Sequence, residues 1–263
     1  MPRKRARVKR VLNCVPSRDT ERDWGVEHAR RSRVVAAAPA IPASKDLREA
    51  WWSVGDQGST GSCVGWAAAD SVLRWHFVKA RRVTTTQPLS PRYVWMASKE
   101  TDRFTDRPST FIESDGTSLK AALDVARKFG VVRDSVLPFR SGRLYAGESQ
   151  TFYAIAAQLK IAMYFNIGSR LTDWRVWLAT HGPIMTRLDV DETWDEAKAT
   201  AGNLDTYLPA TARGGHAVAL VGYTPDRFVV RNSWGTSWGD GGFGYASLDY
   251  AAAAFTESYG VVL

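Results

Sequence analysis

Cys63 lies in the stretch Asp56-Gln57-Gly58-Ser59-Thr60-Gly61-Ser62-Cys63-Val64-Gly65-Trp66-Ala67, after a loop of small residues and before an apolar run from Val64 to Val78. That run reads as a buried helix. A thiol at the N-terminus of a helix sits in the positive end of the macrodipole, which favours the thiolate, the form that attacks carbonyl carbon. Taken alone, such a cysteine reads as packing, because free cysteines are among the most buried residue types. Two further stretches shift the balance: Gly214-Gly215-His216-Ala217-Val218 and Arg231-Asn232-Ser233-Trp234-Gly235-Thr236-Ser237-Trp238-Gly239. The histidine opens one predicted strand and the asparagine closes the next, so a narrow turn region can set their side chains next to each other.

The elements that must carry these residues divide the chain in two. Leu89-Ser90-Pro91 is a helix start with a serine cap and proline at the first helical position. Leu119 to Phe129 keeps helical spacing at 119, 122, 123 and 126, and Gly130 supplies its C-cap. Tyr153 to Phe165 is ambiguous, and Leu171 to Thr180 reads as one more helix. Beyond it, Ile184 to Val190, Ala217 to Tyr223, Arg227 to Arg231 and Gly242 to Leu248 are short and β-rich between turn residues, which predicts an antiparallel sheet. A helical half followed by a β half predicts an α+β fold with a cleft between the two.

With 44% hydrophobic and 24% charged residues the composition is that of an ordinary globular protein, and no apolar run reaches the length of a membrane span. Two cysteines, Cys14 and Cys63, exclude a disulfide framework. A bond between them is conceivable as a latch, but it would consume the proposed nucleophile. Residues 1–41 carry 11 basic and 4 acidic residues, whereas the remainder has 24 and 23, so the net charge of +8 belongs to an N-terminal arm. Such an arm suits contact with the rest of the chain or with an acidic partner. Without a nucleic-acid motif or interleaved aromatics, it does not point to nucleic acid. Residues 11–41 mix turn formers with anchors such as Trp24 and read as an ordered strap, and Ala36 to Ala43 reads as a boundary. Nothing here separates a cytoplasmic from an exported protein.

From about residue 45 onward the chain resembles the papain-like cysteine peptidases, on Gln-Gly-x-x-Gly-Ser-Cys around Cys63, Gly-His-Ala-Val at His216, and Asn-Ser-Trp-Gly-x-x-Trp-Gly from Asn232. The resemblance implies a two-lobed α+β fold, with a helical lobe over about 56–150, an antiparallel barrel-like lobe over about 151–263 and the active-site cleft between them. It implies a Cys63 nucleophile, His216 as its ion-pair partner and acid, Asn232 orienting the histidine, and Trp234 shielding that contact. Gln57 and the Cys63 amide would form the oxyanion hole. Gly116 and Thr117 fall where the family binds extended peptide main chain. A side-chain pocket is expected from Ala217, Ile184 and part of Tyr250 to Phe255, and neither metal nor cofactor is expected.

Two departures mark a disulfide-poor variant. Thr60 and Val64 stand where the signature has a cysteine and an aromatic. Cys63 is 153 residues from His216, slightly beyond the usual range of about 130–150, and the extra length is expected in a polar loop from Asp191 to Arg213, with Asp189, Asp191 and Glu192 solvated. The expected activity is a cysteine endopeptidase acting on peptides or proteins. The rivals are an amidase or acyl-transfer enzyme on a non-protein amide, and a silent binding module of the same fold. Residues 1–41 are expected to work as a propeptide-like strap over a peptidase domain of 42–263.

Overall fold

The computed structural model describes residues 9–36 and 40–263. The basic positions 3–7 and the centre of the Ala36 to Ala43 boundary lie outside them. Two lobes face each other. The helical lobe is built on a central helix that starts at Cys63, in three consecutive parts: Cys63–Gly65, a π-helical stretch Trp66–Leu73, and Arg74–Lys79. Every residue from Cys63 to Leu73 is buried; the run is apolar except for Asp70 and Ser71, both of which bond Arg231. The helix Pro91–Thr101 crosses it at Gly65, where a Cβ would meet the Pro91 carbonyl at 2.3 Å; only glycine permits that approach. Ser90 and Ser118 accept from the Tyr93 and Ala121 amides and cap Pro91–Thr101 and Leu119–Lys128. The ambiguous stretch resolves into a helix Ser149–Ala156 and a strand β2, Met163–Asn166.

The other lobe is an open eight-stranded sheet. It contains β1 (Lys45–Asp46), β2, β3 (Ile184–Val190), β4 (Asn203–Leu204), β5 (Gly214–Tyr223), β6 (Arg227–Arg231), β7 (Phe243–Ser247) and β8 (Phe255–Val262). The order is β2-β8-β3-β5-β6-β7-β4, with β1 beside β5, and all pairs are antiparallel except β4 with β7. The expected strands are present within a few residues of their predicted limits, and β1, β4 and β8 are additions. The helix Leu171–Thr180 packs on β5 and β3. Among the described residues no helix is long and apolar enough to cross a membrane.

Residues 9–35 lie on the body. Val26, Ala29 and Val35 are buried, and the Asn166 amide donates to the Trp24 carbonyl. Trp24 itself is not the anchor its size suggested: it is 57% exposed, and its main chain makes the contact.

A buried ion pair joins the lobes. Arg231, at the end of β6, is fully buried and donates to Asp70 on the central helix at 2.8 Å, to the Ser53 carbonyl at 2.6 Å and to Ser71 at 2.6 Å. Arg74 reaches the second Asp70 oxygen at 3.2 Å, and the Arg231 guanidinium lies over the Trp52 ring. Breaking such a pair strands a charge away from water. Asp70→Ala should cost about 3–5 kcal/mol in urea unfolding; a loss under about 1 kcal/mol, the range of exposed pairs, would show that water reaches Arg231.

Candidate active site

The β5–β6 register pairs Ala219 with Arg231, which carries Asn232 to the place across from Val218 on the face His216 shares. The two side chains therefore meet on a diagonal. His216 Nε2 donates to Asn232 Oδ1 at 2.8 Å, and the Ser233 amide donates to the same oxygen at 2.8 Å. An amide N–H can only approach the oxygen, so the Asn232 carboxamide has one orientation and Nε2 must carry the hydrogen. That leaves Nδ1 as the ring nitrogen without a hydrogen-bond partner.

Cys63 opens the central helix, and Cys63, His216 and Asn232 are each at most 1% exposed. The Cys63 thiol is held well below its ordinary pKa, foremost by a hydrogen bond from the Cys14 thiol and, against the opposing effect of burial, by His216. His216 Nδ1 itself has no hydrogen-bond partner, so in this covered state the ring acts on Cys63 as a neighbouring group and not through a closed hydrogen bond. Burial pushes the Cys14 thiol up, and the neighbouring Cys63 sulfur adds to that. The two shifts run in opposite directions, so of the two thiols Cys63 is the more acidic.

An aromatic box closes over the histidine. Trp234 lies 5.0 Å from the His216 ring and Trp194 5.6 Å from it, edge-on, with Trp238 behind both. Trp194 was missed because it sits in the acidic run expected to be a solvated loop. Instead it belongs to a short helix, Thr193–Glu196, and its indole donates to Tyr250 Oη at 2.9 Å. Asp191 in turn accepts from Tyr250, Thr193 and the Leu208 amide, and is wholly buried. A single tryptophan among four acids was the available signal. Of the three acids expected in solvent, Asp191 is inside and Asp189 pairs with Arg187; Glu192 alone is exposed.

Gln57 is 1% exposed. Its Nε2 donates to the Thr60 carbonyl at 2.9 Å, which uses one of two hydrogens, and its Oε1 accepts from Ser233 at 2.8 Å. The side chain is therefore locked beside the residue that follows Asn232. The other histidines stay outside the site. His28 is exposed, His181 bonds the Val34 carbonyl, and burial lowers the His76 pKa to about 4.

Residues 10–17 cross the cleft. Arg10 donates to Asp56 at 2.5 Å and to the Gly58 and Trp234 carbonyls at 3.0 Å. The Cys14 amide donates to the Gly215 carbonyl at 2.9 Å and the Val15 amide to the Thr117 carbonyl at 3.1 Å, so the strap bonds both lobes at once. At Gly116 an added Cβ would meet the Asn13 carbonyl at 2.1 Å, which explains the glycine there. The expected apolar pocket is corrected. Ile184 pairs with Leu220 and is fully buried, whereas the residues across from Ala217 are Arg187 on β3 and then Glu257 on β8. This row is charged: Arg187 donates to the Cys14 carbonyl at 3.0 Å, and Glu257 accepts from the Ser17 amide at 2.9 Å.

Residues 41–258 match the profile described as papain family cysteine protease. Cathepsin B-like CP3 of Giardia intestinalis is 28% identical over 226 residues, covering 80% of this chain and 71% of that protein. Cysteine proteinase B of Leishmania mexicana is 27% identical over 258 residues, covering 94% of the chain, which spans 54% of that relative's length. Among solved structures, xylellain, a cysteine protease from Xylella fastidiosa, superposes with a TM-score of 0.76 over 98% of both chains at 21% identity. Digestive procathepsin L2 of Tenebrio molitor larval midgut does so at 0.71 over 97% of this chain and 78% of that one, at 18% identity. The fold is the papain-like two-lobed one. The chain belongs to the papain family of cysteine proteases and is a peptide hydrolase.

A depressed thiol pKa means that thiolate is present above it and is lost only as pH falls through it. Iodoacetamide labelling of Cys63 should therefore have a midpoint well below the roughly 8.5 of a free thiol, and His216→Ala should raise that midpoint. A wild-type midpoint at or above that of a free thiol would contradict the ion pair.

Proposed function

We propose that the chain is an endopeptidase that works through a Cys63 thioester and is held latent by its own residues 9–18. The observation that carries the catalytic reading is the pair of hydrogen bonds on Asn232 Oδ1, which sets the His216 tautomer against a Cys63 thiolate. In this reading the thiolate attacks the scissile carbonyl carbon and the carbonyl oxygen becomes an oxyanion, held by the Cys63 amide and the remaining N–H of Gln57. The C–N bond breaks as His216 Nδ1–H gives its proton to the leaving amine, and the thioester forms. Water, deprotonated by His216, then releases the acid and restores the thiolate. Asn232 keeps the ring in place throughout, and Trp234 and Trp194 exclude water from that contact.

For substrate, the Thr117 and Gly215 carbonyls support the extended-peptide reading, since strap amides now occupy both. Gly116 leaves room for main chain, Ala217 lines the floor, and the Arg187 and Glu257 row favours a polar or charged side chain beside the cleaved bond. Trp234 would flank the leaving side. The Cys14 carbonyl turns to Arg187 rather than to the oxyanion donors, so the strap blocks without being a substrate at that bond.

An epoxysuccinyl probe and a peptide library test the catalytic reading. Cys63 should be alkylated and turnover abolished together, and Gln57→Ala should lower kcat about 100- to 1,000-fold with Cys63 still labelled. Labelling without any peptide turnover would favour the rival amidase. Latency is tested separately. Deleting residues 1–18 spares the Asp23 contacts with Lys120 and Tyr259 and the buried Val26 and Ala29. It should raise kcat/KM by about tenfold or more, the equivalent of about 1.4 kcal/mol of cover. Unchanged turnover and unchanged labelling would end the latency reading.

A further inference from the structure

The chain has two cysteines, 49 positions apart, and the fold brings both into the cleft: the Cys14 amide donates to the carbonyl of Gly215, the neighbour of His216, at 2.9 Å, and the Asn13 side chain lies against Gly61, two residues before Cys63. Both are free, and they are 2% and 0% exposed. Both positions are constrained. Cys63 is fixed by the first turn of the central helix, and Cys14 by bonds on both its main-chain polar groups, N–H to Gly215 and C=O from Arg187. The Val15 amide on Thr117 adds a third tether. A strap that only plugged the cleft could place any small side chain over the nucleophile.

We propose that Cys14 is a resolving cysteine, and that a small-molecule disulfide of the glutathione type converts the seated strap into a covalent one through a reversible Cys14–Cys63 bond. The Cys63 thiolate, reached while the strap is lifted, attacks one sulfur of the disulfide RSSR, giving Cys63–S–S–R and RS⁻. When the strap reseats, Cys14 loses its proton to the released thiolate and attacks the Cys63 sulfur. The Cys63–S–S–R bond breaks, Cys14–S–S–Cys63 forms, and the second RS⁻ leaves. In sum the Cys63 thiolate and the Cys14 thiol lose two electrons and one proton, and RSSR gains them as RSH and RS⁻, the latter taking its proton from water at neutral pH. An excess of small thiol or dithiol runs the same steps backward.

The thiolate at Cys63 supplies the attacking group, and the tethered Cys14 supplies a resolving thiol at high effective concentration. The bond would also guard Cys63 from the irreversible sulfinic and sulfonic states while it is covered. Under oxidising conditions the enzyme would be locked, and under reducing conditions the strap would be held by its non-covalent contacts alone. As regulation this rests on the reading of Cys63 as the nucleophile, so the readout must not depend on turnover.

The experiment is to treat the reduced full-length chain with glutathione disulfide at neutral pH, block remaining thiols, and read the intact mass and the peptide map. Wild type should lose two hydrogens, retain no glutathione and yield a linked peptide containing Cys14 and Cys63, with turnover lost and then regained in dithiol. Cys14→Ser should instead retain one glutathione on Cys63. Wild type that retains glutathione on Cys63 to the same extent as Cys14→Ser, or that keeps two unmodified thiols, overturns the latch. A linked peptide in a chain that, once reduced, neither turns over peptide nor takes up the epoxysuccinyl probe leaves the disulfide standing and removes the peptidase reading.

Discussion

The site depends on the buried contact between Arg231 and Asp70. Asn232 follows Arg231 directly, and Asp70 lies two turns along the helix that begins at Cys63. One ion pair therefore ties the lobe that orients the histidine to the lobe that carries the thiol. Hydrophobic packing between the lobes is nearly indifferent to small slips, whereas a guanidinium whose alternatives are all unpaired has only one good position. Burial pulls the Arg231 pKa down from its ordinary value, which shows how much the environment resists the charge that Asp70 stabilises. The π-helical turns from Trp66 to Leu73 widen the helix at the place where Asp70 and Ser71 both face Arg231.

The strap rests on weaker terms. Its ion pairs, Arg10 with Asp56 and Arg103 with Asp19, lie near the surface, where such pairs contribute at most about 1 kcal/mol each. Its main-chain bonds to Gly215 and Thr117 replace bonds that water or a substrate strand would otherwise make. Residues 20–35 are different, since Val26, Ala29 and Val35 complete the core and the Asp23 carboxylate meets Lys120 and Tyr259. The arm therefore has a removable part over the cleft and a permanent part beside β2. Charge alone, which marked residues 1–41 as one basic unit, does not reveal that division.

Where a segment has one strong period, sequence and structure agree closely: Leu171–Thr180, Ile184–Val190 and Arg227–Arg231 match to the residue. Cys63, His216 and Asn232 stood out in the sequence because each sits in a motif, and the structure shows what some of those neighbours do: the Ser233 amide holds the Asn232 oxygen and Trp234 covers the His216 ring. β8 was not legible, because Thr256, Glu257 and Ser258 interrupt its apolar pattern. These residues turn out to serve the cleft or bond neighbouring strands: Thr256 bonds Arg187, Glu257 accepts from Ser17, and Ser258 donates to the Gly168 carbonyl. Composition failed in the same way at Asp191, a buried acid in an acidic run, whose three donors come from residues 193, 208 and 250. Polar residues whose partners are distant in the chain look like surface until the fold supplies those partners.

The proposed latency requires no neutralisation of the proposed nucleophile. In the covered state the Cys63 sulfur accepts from Cys14 and lies against His216, so lifting the strap removes one stabilising donor and leaves the other in place. The imidazole stays oriented because its Asn232 and Trp234 contacts lie on the β lobe and do not involve the strap. Opening thus restores access and removes the foremost influence holding the Cys63 pKa down, while relief of burial and His216 act in the same lowering direction. In the proposed mechanism, a thiol whose pKa is held down while covered is ready for a substrate carbonyl when the strap leaves. For the same reason it is exposed to oxidation at that moment, and a second thiol held against it answers that hazard with the chemistry that sulfur makes available.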